Sequence, residues 1–247
     1  MRLVGVFDVC AAAGERGVPG AGSRKARTLL ALLGAHGRQR IAVDRIVEEL
    51  WAGVPPKQPE ANVATLVSRV RARFGADLVV GGRAGYQLGG AAVVDLYEAA
   101  GAVARAESLL DDGHPARGLH AAERVTALLE AGPALADYPD ARWAREARAM
   151  QDSLLRRAWH AGAASALQAG RPRRAQVLAE AAVAADPFDE SAYRLLMRAC
   201  VAAGEPARAI LAYQRLRTTL AVELAACPAP ESHDLHVTIL RGNAAAG

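Results

Sequence analysis

The sequence predicts a mainly α protein with a small β component: an N-terminal winged helix-turn-helix followed by an all-α, tetratricopeptide-like helical repeat domain. Three observations carry this expectation. A basic amphipathic segment is followed at once by a short glycine-rich hairpin pattern. A Gly-x-Pro-x-Arg motif recurs in the second part of the chain. Aromatic residues make up only 4% of a 52% hydrophobic composition rich in alanine, which favours closely packed helices over a β-rich core.

The first segment, to about Cys10, alternates well enough to predict a strand, and residues 11–23 read as a turn or short hairpin. Ser23 is placed to cap a helix through Arg24-Lys25-Ala26-Arg27-Thr28-Leu29-Leu30-Ala31-Leu32-Leu33, ended by Gly34 or Gly37. Ile41-Ala42-Val43 reads as extended. Asp44 then opens a second helix with Ile46, Val47, Leu50 and Trp51 on its apolar side, and Gly53, Pro55, Pro56 and Pro59 form a stiff loop.

The third helix is the most informative. Over Asn62–Phe74 at roughly 100° per residue, Val63, Leu66, Val67, Val70 and Phe74 share one face. Thr65, Ser68 and Arg69 lie opposite, with Arg71 and Arg73 on the flanks and no acidic residue between. An anchored apolar side with a basic, acid-free polar side suits insertion against a polyanion. Leu78-Val79-Val80, Gly81-Gly82-Arg83-Ala84-Gly85 and Tyr86-Gln87-Leu88 then predict a two-stranded hairpin with Arg83 at its tip. Helix followed by basic hairpin is the order of a winged-helix DNA reader. The competing reading of Arg69, Arg71 and Arg73 is a solvated helix face. Arginine can meet guanine edges or phosphate bidentately. Arg24 and Lys25, with Arg27, either contact phosphate or only solubilise the first helix. Asn62 and Glu60 have a second reading as capping residues.

Beyond Gly90 the texture changes. Asp95 to Leu110 is a strong helical pattern. Gly113-His114-Pro115-Ala116-Arg117-Gly118, Gly170-Arg171-Pro172-Arg173-Arg174-Ala175 and Gly204-Glu205-Pro206-Ala207-Arg208-Ala209 share one form, and the last two are 34 residues apart, the tetratricopeptide period. Each glycine can end one helix and each proline open the next. Asp186-Pro187 falls between the two helices of that unit. Residues 140–169 predict one long helix or two, with Trp143, Met150, Leu154, Leu155 and Trp159 toward the buried side. A turn at Cys227-Pro228-Ala229-Pro230 precedes a last amphipathic helix using Leu235, Ile239 and Leu240. The division expected from this change is 1–90 and 91–247.

Charge follows the same division. Residues 1–90 carry 13 Arg/Lys against 7 Asp/Glu, and residues 91–247 carry 17 against 19. A net +6 on one part and −2 on the other suggests that one part meets a polyanion.

Cys10, Cys200 and Cys227 form no paired spacing, so neither zinc nor a disulfide framework is indicated. His233 and His236, three apart, have no third ligand at suitable spacing. Gly81–Gly85 lacks the Gly-Lys-Ser/Thr ending of a phosphate loop. No catalytic constellation stands out, so an enzyme and a cofactor are not expected. The chain has neither a run of about 18 apolar residues nor a signal-peptide pattern. A cytoplasmic protein with no membrane partner is therefore expected.

These residues resemble a known family. Ser23 to Leu33, Val43-Asp44-Arg45-Ile46, Leu50-Trp51, Pro55-Pro56, Val67-Ser68-Arg69-Val70-Arg71 and Gly85-Tyr86-Gln87-Leu88 look like the OmpR-like winged-helix domain of the Streptomyces antibiotic regulatory proteins. Gly132-Pro133-Ala134-Leu135, Ala185-Asp186-Pro187, Arg194-Leu195-Leu196-Met197-Arg198-Ala199, Gly204 and Ala212-Tyr213-Gln214-Arg215-Leu216-Arg217 look like its bacterial transcriptional activator domain. The resemblance implies an activator that binds direct repeats in double-stranded promoter DNA and recruits RNA polymerase holoenzyme. In that family the targets are commonly secondary-metabolite gene clusters. Carried over by position, Thr65, Ser68, Arg69 and Arg71 fall on the recognition helix, and Arg83 and Tyr86 on the wing. Two protomers side by side on DNA would follow from repeat spacing. The chain departs from the family in a short, glycine-rich wing and in Ala225-Ala226-Cys227-Pro228, which lacks the usual glycine. It carries no ATPase or sensor domain and resembles the small members. Two other functions stand beside this one: a helical-repeat interaction scaffold, and a ligand-responsive regulator.

Overall fold

The computed structural model describes residues 1–9 and 23–244, with side chains to 242. The protein is mainly α, with one small antiparallel sheet. It divides into two compact units, Met1–Ala100 with Leu128–Asp152, and Gly101–Ala127 with Ser153–Gly247. Compactness therefore does not follow chain order at 90/91.

The first unit begins with a correction. Residues 1–9 are not a strand. Arg2 bridges Asp8 across a reversal around Gly5 (φ +75°). This piece is held from both sides. The Asp95 carboxylate accepts from Leu3 N (2.8 Å) and Val4 N (3.1 Å). Leu135 N donates to Leu3 O (2.7 Å) and Ala136 N to Gly5 O (3.0 Å). These bonds are why residues 128–152 belong to this unit. Gln151, fully enclosed, bonds Leu129 O, Gly132 O and Ala134 N, which satisfies a turn that would otherwise bury bare polar groups. The turn expected over 11–22 lies outside the described residues.

Helix α1 (Arg24–Ala35) starts on Ser23, whose hydroxyl accepts from Ala26 N. Its Leu29, Leu30, Leu32 and Leu33 are all enclosed, so it is the central helix of the unit. Only Ile41 of the expected extended piece pairs, with Tyr86, because Val43 already opens α2 (Val43–Trp51). Helix α3 (Pro59–Phe74) begins three residues before the expected Asn62. Pro59 sits at its first position, where a missing N–H costs nothing. Asn62 is thus inside the first turn rather than a cap, and its amide bonds back to Gln58 O (2.8 Å). Val63, Leu66, Val67 and Val70 are buried, as the periodicity predicts.

After a short 3-10 turn (Ala76–Leu78) come β1 (Val79–Gly82) and β2 (Gly85–Leu88), with Gly82 opposite Gly85 and Arg83-Ala84 as the loop. The glycines of this wing have a steric cause. A side chain at Gly85 would collide with the carbonyl of Ile41, whose backbone pairs with Tyr86 on the outer edge of β2.

The second unit takes the later part of α4 (Asp95–Asp111), most of α5 (Pro115–Leu129) and the end of α6 (Ala144–Gln168). It continues with α7 (Pro172–Ala185), α8 (Glu190–Ala202), α9 (Pro206–Leu224) and α10 (Pro230–Ala244). The stretch 140–169 thus holds one long helix. All three Gly-x-Pro motifs are helix junctions: Gly113, Gly170 and Gly204 have φ +75°, +68° and +77°, and Pro115, Pro172 and Pro206 open the next helices. The core is built from small residues around Tyr193, Leu196 and Met197, with Ala175, Ala179, Ala182, Ala192, Ala199 and Ala209 fully enclosed. Small side chains let helix axes come close, and the burial is shared between repeats rather than within one pair. Asp189 caps α8 through Ala192 N. Helix α9 ends on Ala225 in the left-handed region (φ +51°), where the family usually has glycine. On α10, Ile239 is buried, whereas Leu240 is exposed, contrary to expectation, because α10 turns only one narrow stripe inward.

Candidate nucleic-acid interface

The candidate site lies in the first unit and has two parts, the outward face of α3 and the tip of the wing. Burying Val63, Leu66, Val67 and Val70 fixes the roll of α3. It leaves Asn62, Thr65, Ser68, Arg69 and Arg73 exposed. Among the described residues, Arg69 and Arg83 make no hydrogen bond or ion pair. Arg73 lies over the Phe74 ring (5.6 Å). Thr65 donates its hydroxyl to Ala61 O (2.8 Å), which leaves the hydroxyl oxygen with acceptor capacity. Ser68 is exposed on the same face. This surface offers cations, hydroxyls and an amide, with no carboxylate between Glu60 and Asp77.

Other members of the expected set are engaged by the protein itself. Tyr86 is buried, its backbone paired with Ile41, so its ring is a core element of the wing rather than part of its surface. Arg71 turns back from α3 and donates from Nε to Val79 O (2.8 Å) and from Nη2 to Gly81 O (3.1 Å), with its guanidinium 5.9 Å from the centre of the Tyr86 ring. Lys25 donates to Leu50 O at the end of α2 and lies 5.6 Å from the Trp51 ring centre, a favourable place for a cation at a helix C-terminus. Arg24 remains exposed at the start of α1. Arg27 is tied to Asp137 (2.7 Å) and to the carbonyl of Phe7.

The second unit has a feature that no sequence pattern singles out. A concavity of about 660 Å³ is lined by Glu107, Asp111, Arg156, Arg157, His160 and Asp189, over an apolar floor that includes Leu110 and Ala161. Its charges are largely paired: Arg157 forks onto Glu107 (2.9 and 2.6 Å), and His160 Nε2 bonds Asp189 (2.6 Å). These partners are 50 and 29 residues apart, so no local pattern signals them. His233 and His236 are both engaged by Tyr213, the first through its hydroxyl (3.0 Å) and the second by stacking at 4.0 Å. No group of three metal-ligating side chains occurs among the described residues. No described helix is long and apolar enough to cross a membrane.

A winged helix with an acid-free helix face, joined in one chain to Gly-Pro-punctuated helical repeats, defines a class of bacterial transcriptional regulators. The bacterial transcriptional activator domain family matches residues 94–240. The transcriptional regulatory protein MoaR1 of Mycobacterium tuberculosis is 32% identical over 232 residues, covering 89% of this chain and 73% of MoaR1. The regulatory protein AfsR of Streptomyces griseus is 31% identical over 224 residues, covering 90% of this chain but 23% of AfsR. The chain therefore spans about a quarter of the length of the AfsR proteins it matches. A solved structure of Mycobacterium tuberculosis EmbR, in complex with a low-affinity phosphopeptide, superposes with a TM-score of 0.81. It covers 98% of this chain and 64% of that one at 24% identity, and shows the shared fold. The chain belongs to the Streptomyces antibiotic regulatory protein family of transcriptional regulators.

Proposed function

We propose that this protein is a sequence-specific DNA-binding transcriptional activator. In this reading α3 lies in the major groove of promoter DNA, with Arg69 and Ser68 toward base edges and Thr65 and Arg73 toward phosphates. Arg83 reaches the flanking backbone from the wing. The observation that carries the reading is the exposed face of α3, where cations without a protein carboxylate sit on a helix whose roll is fixed by its buried valines and leucine. Residues 1–90 read DNA, and residues 91–247 meet RNA polymerase holoenzyme. The similarity to MoaR1 and AfsR, named as regulatory proteins, supports a role in transcription rather than catalysis. The wider proposal is a cytoplasmic activator of a secondary-metabolite gene cluster, bound as two copies side by side on direct repeats.

Selection of genomic fragments by the full chain tests this. Enrichment of promoter fragments sharing a directly repeated motif, with half-sites spaced near one helical turn, is the expected outcome. A fragment pool indistinguishable from input would reject DNA reading. It would shift weight to the helical repeats as an interaction surface.

A further inference from the structure

The three arginines of α3 are differently placed. Arg69 and Arg73 are exposed, whereas Arg71 is half-buried and spends its guanidinium on the hairpin. The register explains what it holds. A two-residue loop makes Gly82 and Gly85 the closing pair. Antiparallel alternation then turns the carbonyls of Val79 and Gly81 away from β2, and the bond from Gly89 N to Leu78 O (2.9 Å) fits the same phase. Those two carbonyls lie on the free edge of β1. Arg71 reaches both, with Tyr86 beneath it. The opposite edge is held by the backbone pair between Ile41 and Tyr86 (2.8 and 2.9 Å). A hairpin of four-residue strands is not stable by itself, so its orientation depends on these two attachments.

We infer that Arg71 is a positioning residue, a fork that fixes the wing to the recognition helix so that Arg83 and Arg69 meet DNA at one set spacing. The inference rests on the DNA-reading proposal for its consequence, but the clamp itself is a property of the free protein. Guanidinium geometry suits this role, because two donors in one plane serve two carbonyls on the same strand edge. A lysine keeps the charge but has no such planar fork.

The test uses the full chain with R71A, R71K, R69A and R83A, singly and combined. The DNA probe is a promoter duplex recovered by genomic selection, alongside an unrelated duplex of equal length. In the free protein, amide exchange across Gly81–Gly85 should rise about tenfold in R71A, and less in R71K, while α3 stays protected. On the promoter duplex, the affinity loss caused by R83A in the wild-type background should largely vanish in the R71A or R71K background. The loss caused by R69A should persist in both. The salt slope should be the same in R71A as in the wild type, because no phosphate contact is removed.

Unchanged wing exchange in R71A would overturn the clamp. So would a salt slope lowered by about 1 in R71A and restored in full by R71K, the signature of a phosphate contact. If R71A lowers protection throughout α3, R71K carries the test, since it keeps the aliphatic stem and one donor site. If the wild-type chain binds neither duplex, the DNA reading fails, and the exchange result still decides the clamp.

Discussion

Cations are used differently in the two units. In the helical-repeat unit arginines meet carboxylates: Arg157 with Glu107 (2.6 Å), Arg174 with Glu123 (2.6 Å), and Arg208 with Glu180 and Glu205 (3.0 and 2.9 Å). On α3 and the wing, Arg69, Arg73 and Arg83 have no carboxylate partner among the described residues. Exposed ion pairs contribute little to stability, so the difference is not one of holding the folds together. It decides which surface keeps its field. Positive charge that is not neutralised at home can draw in a polyanion and displace its counterions, and the repeat unit has largely cancelled that capacity.

The sharpest way to break this comparison is to remove charge from each side. R69A with R83A should weaken promoter binding by about 2–6 kcal/mol, taking about 1–3 for each contact that reads or grips DNA. R157A with R174A removes the same formal charge and should leave affinity within experimental error. Fluorescence polarisation on one promoter duplex at several salt concentrations measures both. Equal losses from the two pairs would mean that net charge alone drives binding. No loss from the first pair would remove α3 and the wing from the interface.

The sequence made the α3 face legible because helical periodicity needs only neighbours three and four residues away, and Val63, Leu66, Val67 and Val70 supply them. The Gly-x-Pro junctions were legible for a similar reason, since a left-handed residue followed by a first-turn proline is a local motif. The roles of Arg71, Lys25 and Tyr86 were not. Their partners are carbonyls of Val79, Gly81 and Leu50, and the Ile41 backbone, and a backbone carbonyl looks the same in every residue of a sequence. The N-terminal segment misled for the opposite reason. Its alternation fits a strand, but bonds to Asp95 and to 135–136 fold it back on itself.

A second pair of variants sharpens the comparison within the repeat unit. Gly204 at φ +77° and Ala225 at φ +51° both end helices in the left-handed region, one with the residue suited to it and one without. No atom lies within 4 Å of a side chain built on Gly204, so G204A probes conformation rather than packing. It should destabilise the unit by about 1 kcal/mol, and A225G should stabilise it by up to about 1 kcal/mol. Urea unfolding followed by far-UV circular dichroism gives both numbers. A destabilising A225G would show that the entropy glycine adds to the unfolded chain outweighs the strain it relieves.

The smallest expected effect concerns pH and again separates the units. Burial first, then His233 and Arg217, push the His236 imidazole below its usual value of 6.5, and its Nδ1 is enclosed without a hydrogen-bond partner. A histidine whose folded-state value lies below its unfolded value stabilises the fold through its neutral ring. That contribution is complete above about 6.5 and is lost as pH falls through the lower folded value. The melting temperature of the repeat unit should therefore fall between about pH 7.5 and 5.5. In H236F, which keeps an aromatic ring against Tyr213 and removes the titrating nitrogen, the fall should be smaller. Identical slopes in the two proteins would assign the pH response to other groups, with the stack on Tyr213 then acting as packing alone.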